Sequence, residues 1–101
     1  MFKLKYDEEA IDDLKYIEKK YYSLIRKTIE KQLTEEPLVE TKNRKPLSHS
    51  SLGDAWELRF GRNNIFRVIY KVYEENKEVL IVMIGIKEGN IFKVKGEEYT
   101  L

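Results

Sequence analysis

Cysteine is absent from this 101-residue chain, and histidine occurs once. Without thiols there is no disulfide and no thiolate metal site, and one imidazole is too few for a histidine-rich one. Apolar residues never run for the roughly 20 positions that a bilayer-crossing helix needs. The N-terminal "MFKLKYDEEA" lacks the apolar centre of a secretory signal. No internal repeat or low-complexity segment is present. Nor does either charge dominate, with 19 Lys/Arg against 18 Asp/Glu and a formal net charge of +1. Together these absences predict a cytoplasmic protein with no membrane segment, structural metal or cofactor.

What is present is a globular composition, with 42% hydrophobic and 37% charged residues. That balance suits one folded domain over residues 1–101 and argues against disorder. The charge is unevenly distributed. Residues 1–40 carry a net −2, residues 41–71 a net +5, and residues 72–101 a net −2. The middle third is therefore the candidate anion-binding region.

"FKLKY" alternates, so Phe2, Leu4 and Tyr6 share one face of a strand. Asp7 is an N-cap candidate ahead of Glu8 and Glu9, which suit the positive end of a helix. Ala10, Leu14, Ile17 and Tyr21 recur at helical spacing, with Ile11 beside them. "KKYYS" is the expected break, with Ser23 as a cap for a second helix carrying Ile25, Ile29 and Leu33. Pro37 ends that helix, since the residue before a proline disfavours the helical region. Residues 37–54 read as a long loop. Then "AWELRF", "IFRVIYKVY" and "EVLIVMIGI" read as strands, with "IFKVK" as a short last one. "LIVMIGI" is apolar on both faces, as a central strand is. The expected class is α+β: an N-terminal strand, a helical hairpin, then a mainly antiparallel twisted sheet of three to four further strands (β-α-α-β-β-β).

"LRFGRNNIFRVIY" places Arg67 in the middle of a strand. Pairing Phe60 with Ile65 would put Arg67 on the apolar face. Pairing Phe60 with Phe66 instead collects Leu58, Phe60, Phe66, Val68 and Tyr70 on one side. Glu57, Arg59, Arg67 and Lys71 then share the other. A one-residue slip exchanges the faces, so burial selects the second register, with a five-residue connection from Gly61 to Ile65. Arg59 then faces Arg67 directly, an unfavourable like-charge pair. Either an Arg–Glu ion-pair network on an exposed sheet face or a bound anion satisfies it.

The element order, "LSHSSLGDAWELRFG", "FRVIYKV" and "VMIGIKEGN" resemble the RelE/ParE superfamily of type II toxin–antitoxin toxins, from Phe2 to about Tyr99. RelE-like members cleave mRNA in the ribosomal A site. A 2′-hydroxyl attacks the adjacent phosphodiester and leaves a cyclic phosphate and a 5′-hydroxyl, without a metal. The resemblance implies that Arg67 binds and polarises the scissile phosphate, with Arg59 as charge stabiliser. Lys87 becomes a second phosphate contact or general acid, and Glu57 a base or, as preferred here, a partner for an arginine. Preorganised guanidinium groups suit a phosphoryl transition state that gains negative charge. Lys42, Arg44 and Lys45, with Arg62 and Lys71, are the expected contacts to the RNA backbone. Where RelE has a late tyrosine, this chain reads "NIFKV", with Phe92; Tyr99 is the nearest tyrosine beyond it.

The implied partners are a cognate antitoxin protein, the ribosome and mRNA, with operator DNA bound only by the toxin–antitoxin complex. Two alternatives share the fold: a ParE-like DNA gyrase inhibitor, and a catalytically inactive antitoxin-binding co-repressor. His49, in "LSHSSLG", has the side chain for acid–base work at neutral pH, but is read as polar loop surface. Trp56 is read as sheet packing rather than base stacking.

Overall fold

The computed structural model describes residues 1–48 and 50–101; the reading of His49 lies outside them. Strand β1 (Lys3–Tyr6) leads into helix α1 (Glu8–Leu14). Asp7 caps α1 by accepting the Glu9 N–H at 2.9 Å. A short 3-10 turn at Lys19–Tyr21 precedes helix α2 (Tyr22–Leu33). The strands that follow are β2 (Arg44–Leu47), β3 (Ala55–Phe60), β4 (Phe66–Tyr73), β5 (Glu78–Glu88), β6 (Ile91–Val94) and β7 (Glu97–Glu98).

They form one seven-stranded sheet in the order β2-β3-β4-β5-β6-β7, with β1 parallel to the first half of β5. Every other pairing is antiparallel. The expected α+β class is therefore observed. β5 is the central strand, flanked by β4 throughout, by β1 at its start and by β6 at its end. The helices cover one sheet face. There Ala10, Ile17, Ile25, Ile29 and Leu33 pack on Leu58, Phe60, Phe66, Val68, Tyr70, Val79, Ile81 and Ile84.

The other face carries a smaller apolar cluster of Ala55, Ile69, Met83 and Val94, under Leu47, Leu52, Tyr99 and Leu101. β5 serves both faces because its pairing with β4 shifts at Val82. Ile69 pairs with Met83, but Tyr70 pairs with Ile81. This one-residue bulge reverses the alternation, so Ile84 and Ile81 both point to the helices.

The first helix is shorter than its apolar spacing predicts. It stops at Leu14, whose carbonyl accepts the Ile17 N–H and the Tyr22 hydroxyl. Those two donors satisfy an end carbonyl outside the helical ladder. Ile17 is still buried, but from a turn, whereas Ile11 is half exposed. α2 starts at Tyr22 with no side-chain cap, so Ser23 is not one. The 37–54 segment contains β2, including Pro46. A proline is tolerated there because β2 is the sheet edge. Two-residue turns join the last strands, and Lys95 and Gly96 both adopt positive φ (55° and 77°), as a tight hairpin requires.

Candidate functional site

β3 and β4 pair Phe60 with Phe66, Leu58 with Val68 and Arg59 with Arg67. This is the register that burial selects. Arg67 is nevertheless not an exposed surface arginine. Only 7% of it is accessible, and Glu57 beside it is 5% accessible. Glu57 Oε1 accepts a hydrogen bond from Arg59 Nε at 2.6 Å and lies 3.5 Å from Arg67 Nη1. Arg67 Nε donates to the Asn64 carbonyl at 3.0 Å. An Arg–Glu network is therefore present, but buried, where a guanidinium tolerates desolvation only with partners of this kind.

Burial pushes the Arg67 guanidinium below its ordinary value. The Arg59 charge acts the same way, and Glu57 opposes both. Arginine's reserve is large enough that the group stays charged at neutral pH.

The turn between β3 and β4 aims this side chain. Gly61 has φ 83°, and a Cβ there would stand 2.6 Å from the Phe66 ring. Asn63 and Asn64 are both left-handed, at φ 56° and 53°, a region asparagine enters more readily than most residues. The Asn64 carbonyl is thereby turned toward Arg67.

Across β4, Arg67 pairs with Gly85 of β5, and Lys87 follows two residues later on the same face. A Cβ at Gly85 would meet the Lys93 carbonyl and the Phe92 ring, each at 2.6 Å. The missing side chain lets β6 close in next to Arg67. Arg62, Asn63, Ile65, Arg67, Lys87, Glu88 and Gly89 line an open depression of about 420 Å3. Three of those seven residues are cationic. Chemically it is a concavity wide enough for a nucleotide, with one buried guanidinium fixed in its wall, the more exposed cations Arg62 and Lys87 beside it and one carboxylate, Glu88.

The remaining predicted contacts separate. Lys45 is exposed and sits directly across from Glu57 on β2, on the arginine face. Lys42 is exposed in the loop just before β2, next to Asn43, which is tied by two hydrogen bonds to the Arg59 backbone. Arg44 is turned inward, contrary to its expected role on RNA. It is buried, and its Nε donates to the Val39 carbonyl at 3.1 Å and Nη1 to the Gln32 carbonyl at 2.5 Å. A cation at the last turn of α2 meets orphan carbonyls and the negative end of the helix, which accounts for the inward turn. Lys71 shares the face of Arg67 but lies four residues along β4, about 13 Å away, beyond Ile69.

Trp56 stacks on Tyr70 with ring centroids 6.3 Å apart, the packing role read from sequence. Tyr99 packs edge-on against Phe92 at 6.4 Å and is not among the residues that line the depression.

A buried ion pair escaped the sequence reading. Asp13 is 1% accessible, accepts the Ile84 N–H at 2.9 Å and pairs with Lys95. The available signal was its position. Asp13 lies three residues after Ala10 and four before Ile17, on the stripe that faces the sheet. Among the described residues no group of three or more acidic or histidine side chains is placed to hold a metal ion. No helix there is long and apolar enough to cross a membrane.

No protein-family model matches the chain, and no curated protein matches it in sequence. Solved structures do match in shape. A chain of the RelBE2 toxin–antitoxin complex of Mycobacterium tuberculosis superposes with a TM-score of 0.70, at 21% identity, over 85% of this chain and 98% of that one. The isolated RelE toxin of E. coli gives 0.69, at 20% identity, over 87% and 86%. The archaeal RelE–RelB complex of Pyrococcus horikoshii gives 0.56, at 22% identity, over 82% and 91%. With its two helices laid on one face of a mainly antiparallel sheet, this chain has the RelE-like toxin fold.

Proposed function

We propose that this protein is the toxin of a type II toxin–antitoxin system and cleaves ribosome-bound mRNA without a metal. The observation that carries the reading is the fixed cation pair, with Arg59 held opposite Arg67 beside a depression that Arg62 and Lys87 complete. In the reaction the 2′-oxygen forms a bond to phosphorus as the bond to the 5′-oxygen breaks. The 2′-hydroxyl passes its proton to solvent water, and the departing 5′-oxygen gains one. Arg67 neutralises the charge that builds on the phosphoryl oxygens, in a position fixed beforehand by the Asn64 carbonyl. Lys87, at the rim, is the donor to the leaving oxygen. Arg59 supports the positive potential from behind, and Lys42, Lys45 and Arg62 hold the RNA backbone. Lys71 is a more distant backbone contact at the far end of β4.

An antitoxin partner is part of the proposal. Two of the similar structures are toxin–antitoxin complexes. The sheet's edges and the exposed Ile11, Tyr16 and Leu24 offer surface to such a segment.

The test is cleavage mapping on ribosomes programmed with mRNA, comparing wild type with Arg67→Ala and Lys87→Ala. Cuts within codons at the A site, lost in Arg67→Ala, are the expected result. Intact mRNA with inhibited DNA supercoiling would assign the protein to gyrase instead. Intact mRNA, normal supercoiling and operator binding only by the antitoxin complex would make it a co-repressor.

A further inference from the structure

Glu57 stands where the proposed phosphate site ought to be most cationic. It shares a face with Arg59 and Arg67, and Lys45 lies across from it. Its two contacts are unequal. Arg59 Nε is 2.6 Å from Oε1, a short charge-assisted hydrogen bond, whereas Arg67 Nη1 is 3.5 Å from the same oxygen. Arg67 has a second anchor, the Asn64 carbonyl on Nε, which holds its guanidinium plane independently of Glu57. Arg67 also lines the open depression, whereas Arg59 and Glu57 do not. A carboxylate thus fills the anion's place between two cations, bound firmly to the rear one and loosely to the front one.

We propose that Glu57 is a built-in counter-anion, a positioning residue that occupies the pair while the site is empty and yields Arg67, not Arg59, to an incoming phosphodiester. It keeps two opposed guanidinium groups folded together without substrate. It also lowers the resting affinity for any phosphate, so that short or wrongly placed nucleotides do not lodge there. Because Asn64 holds the plane, release of Arg67 needs no rotation of its side chain. This inference rests on reading the Arg59–Arg67 face as a phosphate site.

The test uses the intact protein and a short RNA whose 2′-hydroxyl at the scissile position is replaced by hydrogen, so that it binds without being cut. Binding is followed through the Arg Nε–H signals in NMR. Glu57→Gln should bind roughly tenfold tighter than wild type, a ratio equivalent to about 1.4 kcal/mol. A residue that merely supports the fold gives no such gain when lost. Arg59→Met provides a second reading if the glutamine variant folds poorly. With its firm partner gone, Glu57 closes on Arg67, so affinity should fall further than in Arg62→Met, even though Arg62 lines the depression and Arg59 does not. Unchanged or weaker binding in Glu57→Gln overturns the inference, as does an Arg59→Met loss no greater than that of Arg62→Met. Cleavage of ribosome-bound mRNA lost in Glu57→Gln, at unchanged affinity for the uncuttable RNA, makes Glu57 a base and also overturns it. If neither wild type nor Glu57→Gln binds the RNA, the phosphate reading itself falls and takes this inference with it.

Discussion

Arg59 and Arg67 lie directly opposite one another on β3 and β4, and a single oxygen of Glu57 stands between their guanidinium groups. Arg67 alone of the pair reaches the depression, and it does so through a planar fork anchored at Nε. Arg67→Lys should therefore lose most activity although the charge is kept. A lysine has one nitrogen, so it cannot keep an Nε anchor on Asn64 and present a separate planar fork to the phosphate. A fall in single-turnover cleavage of roughly 10²-fold, similar to Arg67→Ala, is the expected outcome. Near-normal cleavage by the lysine variant would contradict the fork.

Arg44 and Lys45 are neighbours in sequence with opposite tasks. Arg44→Met removes two hydrogen bonds from a buried cation to backbone carbonyls. It should destabilise the fold by about 2 kcal/mol in urea titrations. The salt dependence of RNA binding should stay as it is. Lys42→Ala with Lys45→Ala should do the reverse, leaving stability within about 0.5 kcal/mol and making binding less sensitive to salt.

Asp13 satisfies a strand N–H and a lysine at once, and Lys95 is partly exposed, so solvent screens part of the pair. Asp13→Ala orphans both partners and should destabilise by about 3 kcal/mol in urea titrations. Asp13→Asn retains an acceptor for Ile84 and should lose about half of that. Equal losses in the two variants would place the whole effect in the charge.

Stability should fall on the alkaline side. Burial raises the Tyr70 phenol well above its ordinary 10.0, while its hydroxyl donates to the Pro37 carbonyl. The hydrogen bond to Asp13 raises Lys95 above its ordinary 10.5, against a smaller opposing effect of burial. Both groups hold their protons more tightly when folded. Their contributions are complete below the unfolded values and are lost as pH climbs through the raised folded ones. Urea midpoints should hold to about pH 10 and then drop. Tyr70→Phe should be less stable than wild type at neutral pH, with a shallower alkaline decline.

Gly85→Ala tests the close approach of β6 to the site. The added methyl would meet the Lys93 carbonyl and the Phe92 ring at 2.6 Å. Overpacking of this kind typically destabilises by about 1–3 kcal/mol. Pushing β6 away should also weaken cleavage while Arg67 itself is untouched. Thermal melts and cleavage rates on the same sample separate the two effects.

Alternation over "LRFGRNNIFRVIY" was enough to set the β3–β4 register, because a slip would have buried Arg67 among phenylalanines. The arginine face was legible for the same reason. Other features were not. β2 contains a proline and has little period, and only its place at the sheet edge makes it a strand. The Val82 bulge reverses the faces of β5, which an apolar run cannot reveal. The inward turn of Arg44 depends on carbonyls left open at the end of α2, a feature of tertiary placement. In composition Arg44 and Lys45 look like one basic cluster, yet the first belongs to the fold and the second faces solvent.

Strand β5 has consequences for how the chain is assembled. Lys3 pairs with Glu78, and the other end of the same strand pairs with β6. The first strand made therefore waits for a partner more than seventy residues away, and every strand face that the helices cover, apart from β1, lies C-terminal to them. Such distant pairing slows folding relative to helical domains of equal length. It also means that no N-terminal half of this protein can stand alone. The wall of the depression, by contrast, is shared between β4 and β5, which are neighbours in sequence joined by a short turn, so it does not depend on that distant pairing.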